Sequence, residues 1–388
     1  MTKTYDMVVI GGGIHGAGVA QAGAAAGYKV LLLEKTGLAH ATSSRSSKLI
    51  HGGLRYLESW QLDLVRESLK EREILLRIAP NLVQLKPFYI PVYRETTRRP
   101  WKIRAGLSLY SLLGNFSVNS RFHKLSKSEW ALLDGLRMQG LRAVYRYWDG
   151  QTDDIKLTNA VMGSALSLGA TLKCPASFIS ASYSNNQFEI HYQDAGGDKQ
   201  CSARSLINAA GPWANTILSQ IKPDTDYLNI DLVQGTHIIL DQTPGDGIFY
   251  LESPKDQRAI FVMPWQGKTL VGTTETHYQG DPDNIQPLEN EISYLLDTVG
   301  KYFPMYQRKI IGSFAGLRVL PVGEGPAFHR PRETTLHTDT KLPGLVTIYG
   351  GKLTGYRATA QKAVTLARTV LPAQKIRADT ATLSLSSD

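Results

Sequence analysis

The strongest constraint on the fold of this chain is its opening, where an apolar run leads directly into a glycine-rich turn. Residues 5–10, Tyr-Asp-Met-Val-Val-Ile, are typical of a buried parallel strand, and Gly11-x-Gly13-x-x-Gly16 follows at once. The small residues of 17–27 predict a thin helix, and residues 29–33 predict a second strand that Glu34 closes. Glu34 stands close to the separation of roughly 20 residues at which an acid binds a ribose hydroxyl. This complete βαβ unit predicts a dinucleotide site rather than a glycine turn without a ligand.

The composition is that of a soluble globular chain with room for two domains. It has 388 residues, of which 42% are hydrophobic and 20% charged. The net charge of +9 suits an anionic membrane surface or an acidic substrate, and the scatter of its Lys and Arg argues against nucleic acid. Cys174 and Cys201 have no metal-type spacing, so no metal is expected. Without a secretory segment or an apolar run of about 20 residues, we expect a cytoplasmic protein, either free or peripheral on the inner face of the membrane.

Three separated segments have the pattern of one α/β nucleotide-binding domain: residues 1–80, 153–211 and 315–375. The intervening segments are 81–152 and 212–314, and in the second of these apolar and polar residues alternate, which predicts an antiparallel sheet. We therefore expect a discontinuous Rossmann-like domain into which a mainly antiparallel substrate domain is inserted. Residues 376–388 are expected to be a tail that frays.

Several further motifs resemble those of the FAD-dependent glycerol-3-phosphate dehydrogenases. They follow one another in that family's order: GGGIHGAG at 11–18, ATSSRSSKLIHGGLRY at 41–56, NAAGPW at 208–213, GTHI at 235–238, GTT at 272–274, GLR at 316–318 and GGKLT at 350–354. The resemblance implies a D-amino-acid-oxidase-like fold with FAD as the cofactor, which the βαβ unit alone does not determine. It also implies oxidation of sn-glycerol 3-phosphate to dihydroxyacetone phosphate, with electrons passed to quinone.

The chain departs from this family near the expected substrate pocket. Glu275 stands where the motif Gly-Thr-Thr-Asp is usual, and Arg318 is followed by Val-Leu-Pro-Val-Gly-Glu-Gly rather than by Pro-Leu and acidic residues. We also expect this chain to be a short form of the family that lacks the extra helical domain into which longer bacterial members continue. These departures keep other substrates open: another phosphorylated polyol, a glycerophosphate ester or a 2-hydroxy acid. A non-catalytic flavin-binding subunit is a further alternative.

The candidate cofactor residues form a glycine cradle, a hydroxyl cluster and a second glycine turn. Free N–H groups at a helix N-terminus favour anions, so the cradle of Gly11, Gly13 and Gly16 is expected to bind pyrophosphate, and Glu34 the adenosine ribose. The resemblance implies cofactor contacts from Thr42, Ser43 and Ser44. Beside the flavin we expect close backbone at Gly211 and Gly351, and a helix that begins with Lys352, Leu353 and Thr354.

Three arginines are the candidate ligands of a substrate phosphate, because guanidinium groups are planar, bidentate and permanently charged. They are Arg55, Arg318 and Arg332, of which Arg332 matches the family more loosely. Tyr56 is expected either to bind the substrate or to pack.

Oxidation of a carbinol removes a hydride from carbon and a proton from the hydroxyl, which requires a base. His51 and His237 are both candidates, each of which could instead be structural, and the sequence does not rank them. Lys352 or Arg318 is expected to polarise the developing alkoxide. The electron acceptor is expected to be quinone, with oxygen as the alternative. Residues 101–110 mix basic, aromatic and apolar side chains, which indicates either a helix on an anionic membrane surface or a buried one.

Overall fold

The computed structural model describes residues 3–133, 135–242, 245–322 and 334–386. The strands within these ranges are β1 (Lys3–Ile10), β2 (Val30–Leu33), β3 (Leu49–Ile50), β4 (Val83–Tyr93), β5 (His123–Lys124), β6 (Leu141–Thr152), β7 (Thr171–Lys173), β8 (Ala176–Ser184), β9 (Gln187–Asp194), β10 (Gly197–Asn208), β11 (Ile221–Lys222), β12 (Ile230–Leu240), β13 (Ile248–Glu252), β14 (Ala259–Trp265), β15 (Lys268–Gly272), β16 (Thr276–Tyr278), β17 (Ile310–Pro321), β18 (Thr335–Thr338) and β19 (Leu345–Tyr349). The helices are α1 (Ile14–Ala25), α2 (Leu62–Ile78), α3 (Pro100–Leu113), α4 (Asp154–Ser167), α5 (Ala214–Leu218), α6 (Glu289–Tyr302) and α7 (Tyr356–Ala367).

The first sheet is parallel at its centre, in the order β11-β8-β9-β10-β1-β2-β7, with β19 also on β10 and β18 on β19. β1 pairs in parallel with β2 and β10, and β10 pairs in parallel with β19. Residues 7–10 of β1 are all buried, as expected of a central strand with packed layers on both faces. The carboxyl ends of β1, β10 and β19 therefore lie together, and the loops that follow them converge at one edge of the sheet.

Helix α1 lies close to this sheet because most of its residues are glycine or alanine. All of its residues except His15 are buried, and α4 and α7 pack against it. A Cβ added to Gly18 would lie 2.8 Å from the ring of Tyr356 on α7, so even one methyl group would disturb this contact. The small residues thus fix the start of α1 directly beyond the end of β1.

The second sheet has the order β16-β12-β15-β14-β13-β4-β6-β3, with β17 on β12 and β5 on β6. Its pairings are antiparallel except that of β13 with β4. Helices α2 and α3 cover one face through residues such as Leu69 and Leu107. Helix α6 covers the other face through residues such as Leu295 and Val299. The sheet is therefore buried on both faces and forms a wall opposite the edge of the first sheet.

The expected fold class, a Rossmann-like domain with an inserted and mainly antiparallel sheet, is confirmed. Two expected boundaries are wrong. β17 pairs with β12 from Ile310 to Pro321, so the second sheet extends beyond residue 315. β11 pairs with β8, so the segment directly after residue 211 returns to the first sheet. Both boundaries depend on pairing between strands far apart in sequence, which a local pattern does not show.

The expectation of a frayed tail is also wrong for the described residues 376–386. The amides of Arg377 and Ala378 donate to the carbonyl of Ala25, at 2.7 and 3.2 Å, and that of Leu385 donates to the carbonyl of Ile78 at 2.7 Å. Leu385 is 3% exposed and belongs to the core that contains α1. Among the described residues, no helix is both long enough and apolar enough to cross a bilayer.

Candidate functional site

A cavity of about 890 Å³ lies between the converging loops of the first sheet and the second sheet. Its wall includes these residues predicted from the sequence: Gly11, Gly13, Glu34, Thr42, Ser43, His51, Arg55, Tyr56, Gly211, His237, Arg318, Gly351, Lys352, Leu353 and Thr354. Gly16 and Ser44 are not part of the wall, and Arg332 lies outside the described residues. The structure thus brings the candidate cofactor residues and the candidate substrate residues into one continuous space.

The glycine cradle at the start of α1 has room only for backbone. Gly11 has φ +102°, and a Cβ placed there would lie 2.7 Å from the carbonyl oxygen of Ala209. A Cβ on Gly16 would lie 1.9 Å from the carbonyl oxygen of Gly11, which explains why this glycine serves the packing of the turn and not the cavity wall. Gly13 caps α1 without a side-chain hydrogen bond of its own, and Gly13, Ile14 and His15 line the cavity, so the start of the helix lies at the cavity wall.

Two predicted side chains hold this cradle in shape. One carboxylate oxygen of Glu34 accepts from the amide of Gly12 at 2.6 Å, and the other accepts from the amide of Thr36 at 2.8 Å. The hydroxyl of Ser43 accepts from the amide of Ile14 at 2.9 Å. In contrast, the hydroxyl of Ser44 donates to the carbonyl of Ala41 at 3.0 Å and is used within its own turn.

The cavity fits an extended dinucleotide such as FAD. The glycine cradle and the turn Gly350-Gly351 are neighbours on its wall, since a Cβ on Gly351 would lie 2.3 Å from Nε2 of His15, and both glycines of this turn have positive φ, +70° and +105°. Buried Nδ1 atoms of His15 and His237, two residues of the cavity wall, have no hydrogen-bond partner within the described part of the chain. These polar atoms and the bare backbone of the two glycine turns are features that a bound cofactor would satisfy.

The second glycine turn leads into a loop, not directly into a helix. The sequence predicts a helix beginning at Lys352, but α7 begins at Tyr356 with Gly355 as its N-cap. The Lys352 ammonium donates to the hydroxyl of Ser68 at 2.9 Å and lies 4.3 Å from the centre of the Tyr56 ring. The Thr354 hydroxyl accepts from the amide of His51 at 3.1 Å. This loop therefore joins α2, the turn around Tyr56 and the backbone of His51.

A short segment before α2, which begins at Leu62, carries two of the predicted substrate residues. Residues 54–59 form a separate 3-10 turn between Gly53 and Trp60, both of which have positive φ. This turn carries Arg55 and Tyr56 to the cavity. The backbone before it is fixed by Asp149, whose carboxylate accepts from the amide of Gly52 at 3.1 Å. No local motif in the sequence marks Asp149 for this position.

Arg55 and Arg318 reach the cavity from the 3-10 turn and from β17. The guanidinium of Arg318 donates to the hydroxyl of Thr273 at 3.1 Å and to the carbonyl of Thr274 at 3.3 Å. Burial, and then the positive charge of Arg55, lower the pKa of Arg318 to about 10. Both arginines also face the carboxylate of Glu275, at 3.6 Å from Arg55 and 3.5 Å from Arg318. Arg318 therefore remains charged at neutral pH, and the two guanidiniums lie close to the same carboxylate oxygen.

The two candidate histidines differ in environment. His237 is 2% exposed, stacks on Phe314 with 4.9 Å between ring centroids, and has its Nε2 atom 2.9 Å from the hydroxyl of Ser47. Burial, followed by the charges of Arg318 and Lys48, lowers the pKa of His237 to about 3. His51 is half-buried on the cavity wall. The sequence did not single out Ser47, which lies within a run of serines and is distinguished only by this contact.

Comparison with known proteins assigns nearly the whole chain to one family. Residues 6–357 match the FAD dependent oxidoreductase family. Glycerol-3-phosphate dehydrogenase of Pseudomonas aeruginosa is 38% identical over 380 residues, covering 94% of this chain and 72% of that protein. D-erythritol 1-phosphate dehydrogenase of Brucella abortus is 36% identical over 377 residues, covering 95% and 75%. The structure of glycerol-3-phosphate dehydrogenase from Bacillus halodurans, complexed with FAD, is similar with a TM-score of 0.78 at 27% identity, covering 99% of this chain and 68% of that one.

Proposed function

Since this chain belongs to the FAD dependent oxidoreductase family, we propose that it oxidises sn-glycerol 3-phosphate to dihydroxyacetone phosphate. The observation that carries the proposal is that Arg55, Arg318 and Lys352 line the same cavity as the glycine cradle. When bound, FAD supplies the hydride acceptor for the carbinol carbon. The side chains of this protein then have three tasks: to bind the phosphate, to take the hydroxyl proton and to stabilise negative charge on the oxygen.

Arg55 and Arg318 are the proposed phosphate ligands. Their side chains are only 20% and 22% exposed, so their charges are less screened than those of surface arginines. Tyr56 is 7% exposed and packs beneath both Arg55 and the Lys352 ammonium, at 5.5 and 4.3 Å from its ring centre. This burial supports a packing role for Tyr56, in which it keeps both cations on the cavity wall.

His51 is the proposed base. It lines the cavity, and the Thr354 hydroxyl fixes its backbone beside the second glycine turn. His237 is less suited, because a group with a pKa of about 3 has little affinity for a proton at neutral pH. We assign His237 to the neutral wall of the pocket. Lys352 is the proposed partner of the developing alkoxide, since it lines the cavity close to Thr354, which binds the backbone of His51, and its ammonium is held by Ser68.

The proposal is tested by adding sn-glycerol 3-phosphate to the purified holoenzyme without oxygen and recording flavin absorbance. We expect rapid bleaching in the wild type and a loss of substrate affinity of at least about tenfold in Arg318→Ala, because a charged hydrogen bond to phosphate is removed. Arg204→Ala is the matched control, since Arg204 is exposed on β10 and does not line the cavity. A holoenzyme that stays oxidised with this substrate would contradict the proposal.

A second candidate substrate is a longer phosphorylated polyol. The relative from Brucella abortus, named D-erythritol 1-phosphate dehydrogenase, is about as similar to this chain as the glycerol-3-phosphate dehydrogenases. The phosphate ligands would be the same, and the length of the carbon chain would decide between the two. The ratio of kcat/KM for glycerol 3-phosphate and D-erythritol 1-phosphate distinguishes them, and a ratio below one would favour the longer substrate.

We also propose that electrons pass to quinone at an anionic membrane surface. Helix α3 and the residues after it expose Trp101, Leu112, Phe116 and Val118, with exposed fractions from 53% to 71%. Exposed cations on the same segment are Arg99, Lys102, Arg104 and Arg121. Aromatic and apolar side chains beside cations are typical of a surface that lies on anionic lipid.

Sedimentation with vesicles tests this surface. We expect the holoenzyme to bind vesicles that contain phosphatidylglycerol and to bind phosphatidylcholine vesicles much less. Trp101→Ser with Phe116→Ser should abolish this binding, whereas Met305→Ser, which removes an 83% exposed side chain from another segment, should not. A quinone analogue should then reoxidise the reduced holoenzyme faster than oxygen does. Equal binding by the two variants, or faster turnover with oxygen, would contradict this part of the proposal.

A further inference from the structure

Glu275 lies among three arginines that come from different segments of the chain. Its carboxylate oxygens are 3.6 Å from Arg55, 3.5 Å from Arg318 and 4.0 Å from Arg258. Arg55 belongs to the 3-10 turn, Arg318 to β17, and Arg258 directly precedes β14. The Glu275 side chain is 7% exposed, so these charges interact in a largely dry environment.

The carboxylate lies behind the arginines and not between them and the cavity. Arg55 and Arg318 line the cavity, whereas Glu275 and Arg258 do not. Glu275 therefore influences a ligand in the cavity only indirectly, through the guanidinium groups of Arg55 and Arg318.

The backbone that carries Glu275 is held firmly. The guanidinium of Arg258 donates to the backbone carbonyl of Glu275 at 3.1 Å. On either side of Glu275, the hydroxyls of Thr274 and Thr276 both donate to the carboxylate of Glu291 at 2.7 Å. The position of the Glu275 carboxylate is thus set by its surroundings before any ligand arrives.

We propose that Glu275 is the resident counterion of the phosphate pocket, a role that rests on the proposed function of Arg55 and Arg318. It holds the two like-charged guanidiniums in position when no phosphate is present, and it weakens the affinity of the pocket for free inorganic phosphate. A phosphate that enters the pocket shares the guanidiniums of Arg55 and Arg318 with the Glu275 carboxylate. Its binding free energy is therefore less favourable than it would be if the two cations had no counterion. The pocket then selects the esterified substrate by contacts with the rest of that molecule, and a phosphorylated product leaves readily.

The test is the dissociation constant of inorganic phosphate for the holoenzyme, measured by its perturbation of flavin absorbance and by competitive inhibition. Glu275→Gln keeps the shape of the side chain and removes its charge, and we expect it to bind phosphate at least about tenfold more tightly. A merely structural role would not increase affinity, because a disordered pocket binds an anion more weakly. Unchanged or weaker phosphate binding by Glu275→Gln would overturn the proposal.

Asp256→Asn is the matched control. Asp256 accepts from Nε of Arg258 at 2.7 Å, carries the same charge, and does not line the cavity. We expect phosphate affinity to change less than about threefold in this variant, because Asp256 does not face Arg55 or Arg318. An equal gain in Asp256→Asn would overturn the proposal, since the effect would then follow from net charge alone. Glu275→Asp, which keeps the charge, is expected to stay close to the wild type.

Arg258→Gln gives the opposite test if Glu275→Gln does not fold. Removal of Arg258 takes away one of the cations that share the charge of Glu275, so Glu275 should interact more strongly with the two cavity arginines. Phosphate affinity should then fall severalfold, and a rise would overturn the proposal. Phosphate binding can be measured by flavin absorbance without turnover, so a failure of the proposed substrate can be distinguished from a failure of the proposed role of Glu275. Holoenzyme that binds phosphate as expected but is not reduced by glycerol 3-phosphate rejects the substrate and retains the role of Glu275. Holoenzyme that is reduced, with phosphate binding unaffected by Glu275→Gln, rejects only the role of Glu275.

Discussion

The hydroxyl oxygen of Ser47 lies 2.9 Å from Nε2 of His237, inside the cavity wall. This contact and the stacking on Phe314 hold the imidazole in a site where burial favours its neutral form. His237, one of the two histidines that the sequence offers as bases, is therefore held as an uncharged group. We expect His51 to be the base, and two variants distinguish them.

His51→Gln should lower kcat by a factor of about 10² to 10⁴, the usual contribution of a general base, whereas His237→Gln should lower it much less. The acid limb of the kcat/KM profile should persist in His237→Gln, because His237 stays neutral down to about pH 3. Stopped-flow reduction of the flavin across pH 5–9 measures both effects. Loss of the acid limb in His237→Gln alone would reverse the assignment.

His237 should also make the fold sensitive to acid. Its pKa is about 3 in the folded protein, compared with 6.5 for a histidine outside the fold. Between these pH values the unfolded chain binds a proton that the folded chain does not. The free energy of unfolding should fall as the pH drops through this window, by at most about 1.4 kcal/mol per pH unit from this group. Urea unfolding of the holoenzyme at pH 7, 5.5 and 4.5 measures the slope. His237→Gln should flatten it, and part of the slope should remain because burial lowers the pKa of His15 to about 4.

Asp154→Asn should destabilise the protein by about 3–5 kcal/mol, because it leaves the Lys48 ammonium buried without its counterion. The two groups are 2.7 Å apart, and their side chains are 6% and 0% exposed. The control is Glu67→Gln, which breaks an exposed pair with Lys362 and should cost less than about 1 kcal/mol. Denaturant unfolding compares the two variants, and equal losses would contradict the expectation.

Gly16→Ala should yield protein that is purified with little or no FAD. The added methyl group would lie 1.9 Å from the carbonyl oxygen of Gly11, so the cradle would have to move. Gly163→Ala is the matched control, since a Cβ in that part of α4 meets no atom within 4 Å and should leave the flavin content unchanged. The ratio of absorbance at 450 and 280 nm gives the flavin content, and normal content in Gly16→Ala would refute the role of the cradle.

The parts of the fold that the sequence predicts are those determined by local pattern. The elements of the βαβ unit, β1, α1 and β2, follow one another directly in the sequence. Its glycines stand where a side chain would clash with neighbouring backbone. The membership of β17 in the second sheet was missed because its partner, β12, lies about seventy residues earlier and nothing local marks the pairing. The burial of Leu385 was missed for the same reason, since Ile78, to which its amide donates, is distant in sequence.

The candidate site was predicted as a set of residues but not as an arrangement. Motifs placed Arg55, Arg318 and Lys352 on the candidate list, and only the fold shows that they line one cavity. The difference between His51 and His237 could not be predicted, because it depends on neighbours such as Ser47 and Phe314. The departure at Glu275 was visible in the sequence, whereas its three arginine neighbours were not.

The walls of the cavity come from opposite parts of the chain: the loops after β1, β10 and β19 contribute Gly11, Ala209 and Gly351. A ligand that spans them ties these segments together, and at a hundred times its dissociation constant it adds about 2.7 kcal/mol to the free energy of unfolding. The fraction of unfolded protein therefore falls as the concentration of free FAD rises.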